Sequence, residues 1–534
     1  MTTKYLSAVT LMAVVAAVGA GAADTSGRVV DAVRNGDQAA LRVLLKEGVD
    51  VNVPERDGTT ALAWAVRQGD AKTVELLIKA GANVKTPNRY GVTPLSLAAE
   101  AGDAAMIGRL LAGGADPNTT VVEGQTVLMM AARTGKADAL RMLASHGANV
   151  NAREDWMGET PLIWAAGENN ADAVRTLVEF GAGVDIRSKA VKYPPQKPTD
   201  PSNYVSSAPP KGEWTPLMYT AREGALDAAR ALIDLGANVN AQDPDGMTPL
   251  LEAIVNMHLD YAAALLDKGA NPNIADSSGM TPLYAAVDMH TPAWERSRPD
   301  PKEDDRLDCL GLMKVLLDHG ANVNAALKGR LLQRYHAGGS GGLAEGTTPL
   351  IRAAKYDNFD MARLLVERGA DVNLQQKDAT TALMMAAGVK YSITQEGDPV
   401  HSGTSADAYE LVKLLAENGA DVNAVNEKGE TAMYGAAFVG RNPVISYLAE
   451  RGARMDAKTK QGFTILDGVL NTGVADDGTG SRVGGKPGEI TISLVRTLMV
   501  KAGVTPTVAN VKAGLSVMPV RQGQARIPEA PPTR

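Results

Sequence analysis

The chain has 534 residues, 45% of them hydrophobic and only 4% aromatic, with 54 glycines, one cysteine and a formal net charge of -7. This balance excludes wholesale disorder, and one cysteine with no Gly-X-Y period excludes disulfide-scaffold and collagen-like classes. The 54 basic and 61 acidic residues are spread along the chain without a basic block, which argues against nucleic-acid binding by phosphate neutralisation. The apolar content therefore rests on Ala, Leu, Val and Met, which suits close-packed helices interrupted often by glycine. Length alone would suggest three or four globular units, at roughly 100–200 residues each.

In chain order, the first element is a short basic start, Met1 to Lys4, followed by an apolar run from Leu6 to Val18 and the small residues Ala20-Gly21-Ala22. The run is too short to span a bilayer and reads as a secretory signal peptide over 1–22. Its removal takes Lys4 away, leaves a charge of -8 and predicts a soluble mature chain in the periplasm or outside the cell.

A repeat follows. Thr recurs at Thr60, Thr93, Thr126, Thr160, Thr215, Thr248, Thr281, Thr348, Thr381, Thr431 and Thr464, mostly at intervals of 33. A glycine recurs at Gly81, Gly114, Gly147, Gly181, Gly236, Gly269, Gly320, Gly369, Gly419, Gly452 and Gly503, 21 residues after its Thr in all units but three. The Thr hydroxyl predicts a helix N-cap, with Pro following at the first helical position. Leu-x-x-Ala-Ala then predicts a short first helix, and segments such as Ala71–Lys79 a second one. The recurring glycine supplies a left-handed stop. Beyond it, Asn88–Gly91 and its equivalents read as the turn of an extended arm.

Thr93-Pro94-Leu95, Ala98-Ala99, Leu110-Leu111, Gly114-Ala115-Asp116 and Asn118 follow the ankyrin-repeat pattern position by position, and residues 26 to 504 resemble that family. The resemblance implies an all-α solenoid of about twelve helix-turn-helix repeats with β-hairpin-like arms, forming an array over 23–504. Its first unit is Val29–Asn52 and its last Gly462–Val504. Ala61, Val127, Ala382, Ala432 and Ile465 stand where Pro is usual, a change the helix start tolerates.

Five insertions break the period, near 187–211, 290–307, 328–345, 389–406 and 471–488. Two lie in arms. The other three fall between the helices of the eighth, tenth and twelfth units and are expected to project from one edge, either as loop growth that costs little or as a joint secondary surface. Residues 505–534 read as a polar, Pro-containing tail, with 508–517 covering the end of the array.

Catalytic and metal-ligand spacings are missing from the sequence, and no cofactor motif is present. Cys309 reads as a small buried hydrophobe, His146 and His319 as helix-end residues, Glu303-Asp304-Asp305 as a solvated run and Asn118-Thr119-Thr120 as a turn. In ankyrin repeats, arm tips and the ends of first helices line a concave protein-binding face. The resemblance places Arg67, Gln68, Arg89, Tyr90, Arg133, Trp156, Met157, Trp214, Arg222, Glu223, Lys355, Tyr356 and Phe438 there. Of these, Tyr90, Trp156 and Trp214 lie beside turns, where incomplete burial is expected; they read either as interface anchors, as exposed Trp, Tyr and Arg commonly are, or as packing between repeats. Trp64, Trp164 and Tyr219 take a helix position usually held by Leu and read as packing. The expected function is a monomeric, non-catalytic scaffold for a protein or peptide, with no nucleic acid and no stable membrane insertion. The alternative is an accessory or chaperone-like role stabilising an exported enzyme; an enzyme site built from the insertions is the least favoured reading.

Overall fold

The recurring threonine caps a helix in all eleven Thr-led units: its Oγ1 accepts the backbone N–H three residues on at 3.1–3.4 Å. Units that lack Pro, such as Ala61–Arg67 and Val127–Thr134, start in the same way. A computed structural model describes residues 27–191, 211–290, 305–329, 331, 343–389, 405–470 and 489–508. Among the described residues, twenty-four helices pair into twelve repeats, beginning with 27–34 and Gln38–Lys46 and ending with Ile465–Leu470 and Glu489–Lys501. The arms contain turns and isolated bridges, with no named strand among the described residues.

The chain divides into two compact units, 1–377 with repeats one to nine and 378–534 with repeats ten to twelve. In each, the first helix of one repeat packs on the first helix of the next, as Val127–Thr134 does on Pro161–Gly167 and Ala432–Val439 on Ile465–Leu470. The Ala pairs lie at these contacts: Ala98, Ala99, Ala131, Ala132, Ala165 and Ala166 are all 0–1% exposed. Small side chains bring the backbones close, and Leu110, Leu140 and Leu177 of the second helices fill the space behind them.

Successive repeats are joined by a recurring asparagine. Asn240 Nδ2 donates to the Gly269 carbonyl (3.2 Å), while its Oδ1 accepts the Asn271 N–H (2.8 Å). Asn52, Asn118, Asn151, Asn273, Asn324 and Asn423 make the same two bonds to the glycine loop of the following repeat. Between repeats five and six Asp185 takes this place and offers only acceptors, to the Asn238 N–H. At Asn118, which opens the Asn118-Thr119-Thr120 turn, the clamp uses both ends of the side-chain amide.

Arm turns are closed by a side chain at their start. Asp243 Oδ1 accepts the N–H groups of Asp245 and Met247, and Asn88, Asp276 and Asn426 do likewise two and four residues on. One arm is a residue longer, between Gly147 and Thr160, and there the position is Glu154. Its longer side chain accepts from Trp156, Met157 and Glu159, at 2.6–2.8 Å. Arm tips are also stitched to each other, by Arg89 N–H to the Asp57 carbonyl and Ser277 N–H to the Asp245 carbonyl.

Most second helices begin in one of two ways. Asp37, Asp70, Asp103, Asp308 and Asn358 cap their own helix. Asn170, His258 and Arg441, at the same place, instead donate backward to carbonyls ending the preceding repeat's first helix, at Arg133, Arg222 and Ala386. Asp305 accepts the Leu259 N–H, so this part of the acidic run caps a helix. Residues 303–304 lie outside the described part. Cys309 is buried, and His146 and His319 each place Nδ1 on a carbonyl of their own last turn.

The signal segment 1–22, the joint surface expected of the three inter-helix insertions, the central part of each insertion and the tail from 509 lie outside the described residues. The base of the first insertion is described. Ser188 N–H bonds the Trp214 carbonyl (2.9 Å) and Val191 N–H the Lys211 carbonyl (2.7 Å), and Ala190 bridges Gly212 in antiparallel fashion. No described helix is long and apolar enough to cross a membrane.

Two kinds of glycine follow from this geometry. At Gly236 φ is +94° and an added Cβ would meet nothing within 4 Å; at Gly279 φ is +86° and the Cβ would lie 2.6 Å from the Lys328 backbone nitrogen. Gly236→Ala should therefore cost about 1–2 kcal/mol, the left-handed term alone, and Gly279→Ala clearly more, by chemical denaturation. Asn240→Asp keeps an acceptor but leaves the exposed Gly269 carbonyl to water, and should destabilise by about 0.5–1.5 kcal/mol in the same measurement.

Candidate functional site

First helices present three side chains to the face they share with the arms, at the fourth, seventh and eighth positions after each Thr. In repeats two to five the fourth position is Trp64, Leu97, Met130 and Trp164, all half-buried. The seventh is Arg67, Glu100, Arg133 and Gly167, and then Arg222 in repeat six; the four charged ones are exposed. The helix turn sets Arg67 over the Trp64 ring at 5.7 Å, three residues away in one helix. Arg133 instead reaches across to Trp164 of the next repeat, at 5.9 Å. Such stacks hold a guanidinium in place while leaving its N–H edges open to carboxylates.

Repeats five and six close into a tighter cluster. Trp214 and Tyr219 meet edge to face at 5.5 Å, and Arg222 lies over both rings, at 5.5 and 5.1 Å. Arg222 also pairs with Glu223 at 2.7 Å. Burial first, then the nearby Glu159 charge, hold the Tyr219 hydroxyl well above its ordinary pKa. Burial likewise raises the Glu159 carboxyl, against the hydrogen bond from Tyr219 and with the Glu154 charge adding to the rise.

Trp214 corrects one expectation: it is 4% exposed. Its indole N–H donates to Asp243 Oδ2 of the next arm (3.1 Å), and its ring packs among Ile163, Met218, Tyr219 and Ala241. The reason is the paired base of the insertion, which pins the Trp214 backbone to Ser188 and turns the ring inward. Gln68 is exposed, yet its side-chain amide donates to the Arg34 carbonyl (2.9 Å), a cap between repeats. Tyr219 is buried, as packing requires, whereas Trp64 and Trp164 are only half covered and Trp64 Nε1 donates to Glu55 (3.0 Å).

On the arm tips, Tyr90 is 62% and Trp156 74% exposed, with Arg89 5.7 Å from the Tyr90 ring centre. Val122, on the arm between them, is 62% exposed. Three consecutive arms thus each expose one large apolar side chain, and Val122 was missed because valine carries no sequence signal for exposure. Met157 is half-buried, and its carbonyl accepts the Lys189 N–H.

The face changes character after repeat six. In repeats seven and eight every residue of the first helices, Pro249–Val255 and Pro282–Met289, is buried. Charge there is consumed internally: Arg352 of repeat nine meets Asp288 of repeat eight at 2.5 Å, each side chain 2% exposed. Burial alone would disfavour the Arg352 cation, and Asp288 outweighs it, so its pKa is raised. Lys355 and Tyr356 are half-buried beside this pair, with Arg352 4.0 Å from the Tyr356 ring centre. Phe438 lies in the second unit, half-buried at the seventh position of its own repeat. The described residues hold no cluster of His, Cys, Asp and Glu arranged to bind a metal.

Because the folded chain holds the Glu159 proton to higher pH than the unfolded chain, this group's stabilising contribution is greatest below the ordinary carboxylate range. It declines as pH rises through the raised value. Glu159→Gln should thus raise stability at neutral pH and flatten that decline, as read from denaturation midpoints between acid and neutral pH.

No curated protein matches the chain. Family models described as ankyrin repeats (3 copies) match residues 29–121, 97–190, 199–276, 217–294 and 309–395, and a model described as ankyrin repeats (many copies) matches 405–448. These matches span most of the sequence and coincide with the helix pairs, arms and glycine stops described above. The chain belongs to the ankyrin-repeat family.

Proposed function

We propose that this protein is a non-catalytic scaffold that binds a partner protein on the first-helix and arm-tip face of repeats two to six. Ankyrin repeats generally mediate protein–protein interaction, and one observation favours this stretch. The stacked Arg67, Arg133 and Arg222 and the bare Tyr90 and Trp156 stand open there, whereas repeats seven and eight bury the same face. Aromatic and Arg side chains held by stacking bind at small entropic cost, because their rotamers are already restricted. Export places this surface in the periplasm or outside the cell, a reading supported by the basic start and 13-residue apolar run of 1–22.

Changing Arg67, Tyr90, Arg133 and Trp156 together to Ala leaves the core untouched. It should abolish crosslinked capture of the partner from the envelope fraction, with each side chain worth up to about 2 kcal/mol, while thermal unfolding stays near wild type. A partner retained by this variant would place the interface elsewhere. N-terminal sequencing of protein recovered from that fraction should begin close to Ala23.

A further inference from the structure

Resting on the scaffold reading, we infer the chemistry of the partner: an extended polypeptide segment whose charge alternates in sign about every three residues. The observation is a ladder along the ends of the first helices. Repeat two presents Arg67, repeat three Glu100, repeat four Arg133 and repeat six Arg222 at the seventh position, and repeat five presents Glu168 one position further on, all exposed. The sign alternates at every step. The ladder has definite ends: Arg34 of repeat one is already held by Asp31 and Glu55, at 2.5 and 2.9 Å, and repeat seven has buried Val255.

Within the ladder the charges are weakly committed. Arg67 and Glu168 make no ion pair among the described residues; Arg133 reaches Glu100 only at 4.0 Å, and Arg222 pairs with its neighbour Glu223. Pairs this exposed contribute little and exchange readily for a partner's charges. Between the rungs, half-buried Trp64, Leu97, Met130 and Trp164 form an apolar floor. At Gly167 the seventh position of repeat five carries no side chain, and an added Cβ would meet nothing within 4 Å. The space between Arg133 and Arg222 is therefore open.

Spacing fixes the register. Packed helices lie about 8–10 Å apart, and a segment in the polyproline II conformation advances about 3.1 Å per residue with three residues per turn, so one repeat corresponds to roughly three partner residues and every third side chain faces the ladder. The matching segment carries acids at i, i+6 and i+12 facing Arg67, Arg133 and Arg222, and bases at i+3 and i+9 facing Glu100 and Glu168. Apolar residues between them rest on the floor.

The test uses full-length protein and two fluorescein-labelled synthetic peptides of one composition, the first in this register and the second with acids and bases exchanged. Fluorescence anisotropy should show the first binding about tenfold more tightly, the sum of several modest surface pairs, with the gap closing at high salt. The variant R67E/E100R/R133E/E168R/R222E should reverse the preference. That reversal also shows the variant is folded, with circular dichroism as a second check. Equal affinities, or an unreversed preference in a folded variant, would overturn the inference. Those outcomes concern the register alone: loss of the natural partner from the four-alanine variant would still support the face, and its retention would sink the face itself.

Discussion

Seven junctions between repeats depend on how a left-handed glycine carbonyl is satisfied. The glycine that stops a second helix turns its own C=O away from the helix, beyond the reach of intrahelical donors. Asn52, Asn118, Asn151, Asn240, Asn273, Asn324 and Asn423 each lend an amide from the preceding repeat, and accept the N–H two residues past that glycine. A hydrogen bond of this kind is modest, near 1 kcal/mol net, and here both partners face solvent. It therefore fixes the relation between neighbours more than it adds to stability. Glycine and asparagine are two halves of one device, and neither position has meaning within a single repeat.

The same logic of neighbours governs the candidate binding face. Trp64 and Arg67 belong to one helix, but Trp164 receives its cation from the repeat before, and Trp214 receives its hydrogen-bond acceptor from the arm after. Where neighbours supply opposite charges at close range, as Asp288 and Arg352 do, the face becomes interior. Buried pairs of this type contribute little net stability but are costly to break, so that stretch is set aside for the fold. Repeats two to six keep the corresponding charges in water.

Much of this was legible in the sequence, because the features that define the repeat are local. A Thr cap acts over three residues and a glycine stop over two, and both were placed correctly from spacing alone. Trp214 was not, since its burial depends on pairing across an insertion and on Asp243, 29 residues away. Gln68 looked like a free surface amide because the carbonyl it caps belongs to the previous repeat. Tyr90 and Trp156 were read rightly as exposed because a turn tip has little around it, a local property again. Glu154 shows the limit from the other side: a one-residue change in interval hints at a longer arm, but only the bonds explain why Glu replaces Asp there.

The paired base of the first insertion has a consequence for how this molecule tolerates change. Val191 and Lys211 are bonded across the stem, so the chain leaves the arm and returns to it at nearly the same point. The spacing of the repeats on either side is thus fixed at the stem. A loop tethered this way is a natural port: sequence there can lengthen, shorten or be exchanged for a whole folded module at slowly growing entropic cost. Such cargo would be carried beside Trp214, at the edge of the charged ladder, where a second activity could be brought to whatever the ladder holds.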